Sequence, residues 1–156
     1  MFEGFKKFLN ENNKINEEWN SLNIIHSNAS TIGSYDLDIV SKTNDTLKKI
    51  NNNFFELIFL IGQDNFSLTK KNEFIVYIGS HGDKGAEMAD LILPGAAFTE
   101  QDGYFTNLEG KLQMAFKASY PPGEAKEDWV IINEISKLVH DDNLFKDKNE
   151  LVSAMP

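Results

Sequence analysis

Two pentapeptides constrain this chain more than anything else in it. Leu57-Ile58-Phe59-Leu60-Ile61 and Phe74-Ile75-Val76-Tyr77-Ile78 are unbroken apolar runs, and each is stopped by a glycine, Gly62 and Gly79. A strand with one wet face alternates apolar and polar residues. A short continuous run rich in β-branched and aromatic side chains predicts a strand buried on both faces. Such strands belong to parallel sheets, whose crossover connections cover both sides. A third run, Leu91-Ile92-Leu93, closes on Pro94-Gly95, and Ala86 to Asp90 before it has room for a helical turn or two. The expectation is an α/β fold, with a mainly parallel sheet flanked by helices.

The flanking segments are read by helical spacing. Phe2, Phe5 and Phe8-Leu9 form a stripe at the start of the chain. Trp19, Leu22, Ile25 and Ala29 are spaced 3, 3 and 4, which predicts an amphipathic helix capped by Asn16 and ended by Gly33. Asn44 and Asp45 open a short helical turn containing Leu47 and Ile50. Tyr104 to Asn107 and Leu112 to Lys117, joined through Glu109-Gly110, form a hairpin or a meandering loop. Pro121-Pro122-Gly123 then breaks the chain. Beyond it Trp129, Ile132, Ile135 and Val139 predict a helix, with acidic residues at its start and Lys137 and His140 near its end. Asp147 and Glu150 have capping-box spacing for a last short helix. A length of 156 residues suits one domain over 1–156, since domains commonly run ~100–150 residues.

Charge and composition exclude several function classes. The net charge is −9, and all 15 basic residues are lysine. Phosphate-backbone binding depends on dense Lys/Arg, so nucleic acid is not an expected partner, nor is an anionic membrane surface. The longest nearly apolar stretch, Phe54 to Ile61, contains Glu56 and is far shorter than the ~20 residues of a membrane helix, so no direct membrane insertion is expected. Residues Met1 to Phe8 lack the apolar region of a signal peptide. The cysteine count is 0, which removes disulfides, thiolate nucleophiles and thiolate-ligated metal or iron–sulfur sites from this chain. A soluble domain of a reducing compartment fits these features.

The stretch with chemical promise is Gly79-Ser80-His81-Gly82-Asp83-Lys84-Gly85. It follows a strand and precedes a helical turn, where glycine-rich loops cradle phosphates. Its spacing is GxxGxxG, matching neither the dinucleotide fingerprint nor a P-loop, and Asp83 would repel a phosphate. Gly82 and Gly85 are read as serving backbone geometry through glycine's access to positive φ. The histidines His26, His81 and His140 share no metal-ligand spacing. Ser80, His81 and Asp83 are too close in sequence to converge as a nucleophilic triad. No catalytic residue and no metal site is assigned.

Longer motifs go further. The run YIGSHGDKGAEMADLILPGAAFTEQDGYFTNLEGKLQMAFKASYPPGEAKED from Tyr77 to Asp128 resembles the large iron–sulfur subunit of respiratory complex I, the NADH–quinone oxidoreductases. The resemblance lies in the GSHGDxGA loop, ADxILPGAAxTE, TNxEG and PPGEAxEDW ending at Trp129. Upstream, Glu18-Trp19-Asn20, Leu22 to His26, Ala29-Ser30, Gly33 and Leu37-Asp38 are similar to the same subunit. Lys111 departs from it, standing where the family has arginine, so a planar bidentate donor is lost.

The resemblance implies a molybdopterin-oxidoreductase-like domain, of which this chain is a fragment, serving as a scaffold without chemistry of its own. No cofactor is expected in this chain, and the iron–sulfur clusters belong elsewhere in the parent subunit. Partners would be other peripheral-arm subunits of complex I and the missing part of the large iron–sulfur subunit itself. The location would be cytoplasmic, or the cytoplasmic face of the inner membrane. Gly79, Ser80, His81, Gly82, Asp83 and Gly85 are the candidates for a vestigial ligand loop. The alternatives are a fragment of an active, formate dehydrogenase-like molybdopterin oxidoreductase and a free-standing ligand-binding module.

Overall fold

The structure is a computed structural model that describes residues 2–18, 20–41, 45–63 and 68–155. Strands β1 (Leu57–Ile61), β2 (Phe74–Gly79) and β3 (Leu91–Pro94) form one sheet in the order β1-β2-β3, with both pairings parallel. Leu57 lies opposite Phe74 and Ile61 opposite Ile78, while Val76 lies opposite Leu91. The apolar runs therefore become strands where the sequence places them. Strands β4 (Gly103–Thr106) and β5 (Leu112–Ala115) pair antiparallel as a separate hairpin. Of the two sequence readings for that region, the hairpin is correct.

Each face of the sheet has its own packing layer. On one face Leu60, Ile75 and Tyr77 are buried under Leu68 from the β1–β2 connection, with Ala86, Met88 and Ala89 from and just after α4 (Lys84–Met88). On the other face Val76 and Ile78 are buried against Ile131 of α5 (Asp128–His140), with Leu93 and Ile135 alongside. Both crossovers lie on the same face, as consecutive parallel strands wound in one direction require. Central strand β2 is thus covered on both sides, with Ile75 and Ile78 at 0% exposure. Strand β1 departs from the sequence reading: Leu60 is buried, but Leu57, Phe59 and Ile61 on its other face are exposed. Helix α5 packs over β2 and β3 and leaves that part of the sheet bare.

The helices show where spacing alone misleads. Helix α1 (Phe2–Glu11) buries Leu9 but leaves Phe5 and Phe8 exposed. The helix expected from Asn16 to Gly33 is absent among the described residues. Ile15 and Asn20 form an isolated antiparallel bridge, residues 21–26 are irregular, and Ile25 is 88% exposed. Trp19 lies outside the described residues. The cause is local: the Asn16 side chain accepts from Glu18 N–H and the Asn20 side chain from Leu22 N–H, both at 2.9 Å. Asn and Ser side chains that satisfy nearby backbone donors compete with helix formation.

A helix forms later instead, α2 (Thr31–Asp36), with Gly33 inside it and packed against Thr106 of the hairpin. Helix α3 (Thr46–Asn51) follows Asp45 as read, with Asn44 outside the described residues. The last helix, α6 (Lys148–Ser153), is capped by Asp147, whose carboxylate accepts from Asn149 and Glu150 N–H at 2.8 and 3.0 Å.

Burial predicts a sharp contrast between two apolar truncations. Ile78→Ala is expected to cost ~2–5 kcal/mol, the range for deleting a buried branched side chain. Leu138→Ala, at a side chain 87% exposed, is expected to stay within about 0.5 kcal/mol of the parent. Urea unfolding followed by circular dichroism measures both.

Candidate functional site

Three glycines stand at or just after the carboxyl ends of the parallel strands: Gly62, Gly79 and Gly95. That edge is where open α/β sheets bind ligands. The loop from Gly79 to Gly85 crosses it between β2 and α4, and Tyr77 controls its shape. The Tyr77 ring is buried, and its hydroxyl donates to the His81 carbonyl at 2.7 Å. A Cβ on Gly79 would strike the Tyr77 ring and hydroxyl. One on Gly85 would sit 2.5 Å from the Gln63 carbonyl oxygen and 2.9 Å from the ring.

Neither Gly82 nor Gly85 has the positive φ expected from the sequence. At Gly85 the reason for glycine is close approach. At Gly82 the added Cβ would meet open space. Ser80 Oγ and His81 Nδ1 lie 2.9 Å apart on the exposed rim. Asp83 stands at the N-cap of α4 in extended conformation, with no side-chain cap bond. The loop does bring Ser80 and His81 together. It does not bring Asp83 to the histidine ring.

The polar residues of the other motifs bind the fold to itself. Asp90 of the ADxILP segment accepts from Lys70 Nζ at 2.5 Å and from Ile75 N–H at 2.8 Å, holding the start of β2. Those two bonds keep its carboxyl below the usual carboxylate range, with the lysine contributing most. Glu73 beside it is buried, and both its oxygens accept from Lys71 N–H at 3.1 Å. Backbone N–H groups, its own first, likewise lower its pKa against the opposing effect of burial. Glu100 accepts from Ala97 N–H at 2.9 Å. Asn107 of TNxEG accepts from Glu109 and Lys111 N–H at 3.0 and 2.8 Å, shaping the hairpin turn around Gly110 at φ 80°.

The PPGEAxEDW segment builds a junction. Glu127 Oε2 accepts from Trp129 Nε1 at 2.9 Å and from Lys148 Nζ at 2.8 Å, and Lys148 also donates to the Asp102 carbonyl at 2.8 Å. The start of α5, the start of α6 and the entry to β4 are thereby tied at one point. Asp128 next door is different. Burial raises its pKa, the Gln101 amide opposes that rise, and the Glu127 charge adds to it. A Cβ on Gly95 would come within 2.7 Å of its carboxylate, so Asp128 closes the carboxyl edge beside β3.

Sequence reasoning missed one feature entirely. Where α2 meets the hairpin, two hollows of about 280 and 510 Å³ share Ser30 and Thr106 in their walls. His26 lines the smaller one, its ring 6.3 Å from that of Tyr35. Ser30 holds φ 58°, and its buried Oγ has no hydrogen-bond partner among the described residues. No periodicity or motif marks a hollow that forms between elements distant in sequence. His140 sits on the exposed last turn of α5. Among the described residues, no group of three or more His, Cys, Asp or Glu side chains is placed to hold a metal ion.

The family model for molybdopterin oxidoreductases matches residues 1–138. The chain belongs to the molybdopterin oxidoreductase family. Within it, this chain is 45% identical over 125 residues to the NADH-ubiquinone oxidoreductase 75 kDa subunit of Reclinomonas americana, covering 78% of this chain and 18% of that protein. It is 41% identical over 146 residues to an NADH-quinone oxidoreductase subunit of Rickettsia bellii, covering 93% and 21%. It is also 41% identical over 132 residues to the mitochondrial NADH-ubiquinone oxidoreductase 78 kDa subunit of Candida albicans, covering 80% and 18%. This molybdopterin oxidoreductase family member thus spans about a fifth of the length of these curated relatives.

A pterin cofactor with phosphate groups needs cations or a concave row of free N–H groups. At the glycine-rich loop the Tyr77 ring fills the space beside Gly79 and Gly85, and Asp83 and Glu87 outweigh the one cation, the exposed Lys84. Gly79, Gly82 and Gly85 all lack the left-handed conformation from which anion nests are made. The residues present at this edge do not fit that group.

Two sets of variants test these assignments. Gly85→Ala is expected to lose ~1–3 kcal/mol, because backbone and a buried ring must shift, while Gly82→Ala stays neutral or gains up to ~1 kcal/mol. The two aspartates should respond to pH in opposite senses. Asp90, with its folded pKa lowered, stabilises above the unfolded value of ~3.9 and loses this as pH falls through the folded pKa. Asp90→Asn should therefore destabilise at pH 7, with the gap narrowing in acid. Asp128, with its folded pKa raised, is favourable below ~3.9 and loses this as pH rises through the folded pKa. Asp128→Asn should gain relative to the parent as pH rises. Thermal midpoints between pH 3 and pH 7 measure both.

Proposed function

We propose that this chain is a structural piece of the large iron–sulfur subunit of an NADH–quinone oxidoreductase, supporting electron transfer in the assembly without chemistry of its own. The observation that carries this reading is the use of the family motifs. Asp90, Glu100, Asn107 and Glu127 each hold backbone or side chains of this same chain, leaving no converged acid, base or nucleophile set among them. Similarity to the 75 and 78 kDa subunits and to the Rickettsia bellii protein supports the same assignment.

On this reading residues 1–156 form one part of a larger molybdopterin-oxidoreductase-like domain. With a cysteine count of 0, the chain offers no thiolates for iron–sulfur ligation, so those clusters belong to other parts of the subunit. Partners are the rest of that subunit and its neighbours in a peripheral arm at the cytoplasmic face of the membrane. No helix among the described residues is long and apolar enough to cross a membrane. The Gly79–Gly85 loop serves to pack Tyr77.

The purified chain is expected to bind neither iron nor molybdenum in stoichiometric amount, and to give no NADH-dependent reduction of an artificial dye. Elemental analysis and a dye-reduction assay measure this. Stoichiometric metal, or activity that survives repurification and disappears in His81→Ala, would overturn the scaffold reading.

A further inference from the structure

We draw no further inference here: the strongest candidate, the hollow of about 510 Å³ between α2, the β4–β5 hairpin and α6, sets apolar Leu37, Leu112, Val152 and Met155 beside an exposed Asp36, a lining that selects no one ligand chemistry, and nothing in the structure shows what covers it.

Discussion

The Tyr77 side chain sets the geometry on which the rest depends. It stands in the middle strand, buried between the sheet and α4, and its hydroxyl fixes the loop that links them by holding the His81 carbonyl. A ring of that size at a strand end requires its neighbours to give up volume. Gly79 and Gly85 do so from either side. Two of the loop's three glycines, Gly79 and Gly85, are thus explained by an aromatic residue two positions before the loop, while Gly82 faces open space. A spacing that resembles a phosphate cradle is here a socket for a phenol.

The carboxylates follow the same internal logic. Asp90 and Glu73 accept backbone N–H groups at the start of β2, Glu127 gathers an indole and an ammonium, and Asp147 caps α6. Hydrogen bonds to charged groups are stronger than those between neutral ones, and they specify geometry better than apolar contact does. Asp128 is the exception, since burial works against its charge. Motif residues in this family member are accordingly signs of a common fold, and their presence does not by itself report chemistry. The acidic balance of −9 sits in part on such internal acceptors.

The two edges of the sheet are unequal. The β3 edge meets this chain's own backbone at Pro94 to Ala96, while apolar residues are exposed on both β1 and β3. The matches cover about a fifth of the relatives' length.

The apolar runs fixed the strands, and continuous apolarity indicated a parallel sheet, because only strands covered on both faces tolerate it. Apolar spacing located α5, although its buried face runs through Ile131 and Ile135 with Ile132 and Val139 exposed. The Asp147 cap located α6, and the structure chose the hairpin over the meandering loop. The Trp19–Ala29 stripe misled, because side chains of Asn16 and Asn20 offered the backbone nearer partners than a helix would. Tertiary structure alone decided which face of β1 stays bare, that Gly85 answers to Gln63 and Tyr77, and that Ser30 lines two hollows. Sequence determines what is local, since caps, turns and runs act over a few residues. Close approach between segments far apart in the chain exists only once they are packed, and that is where the glycine loop acquired its meaning.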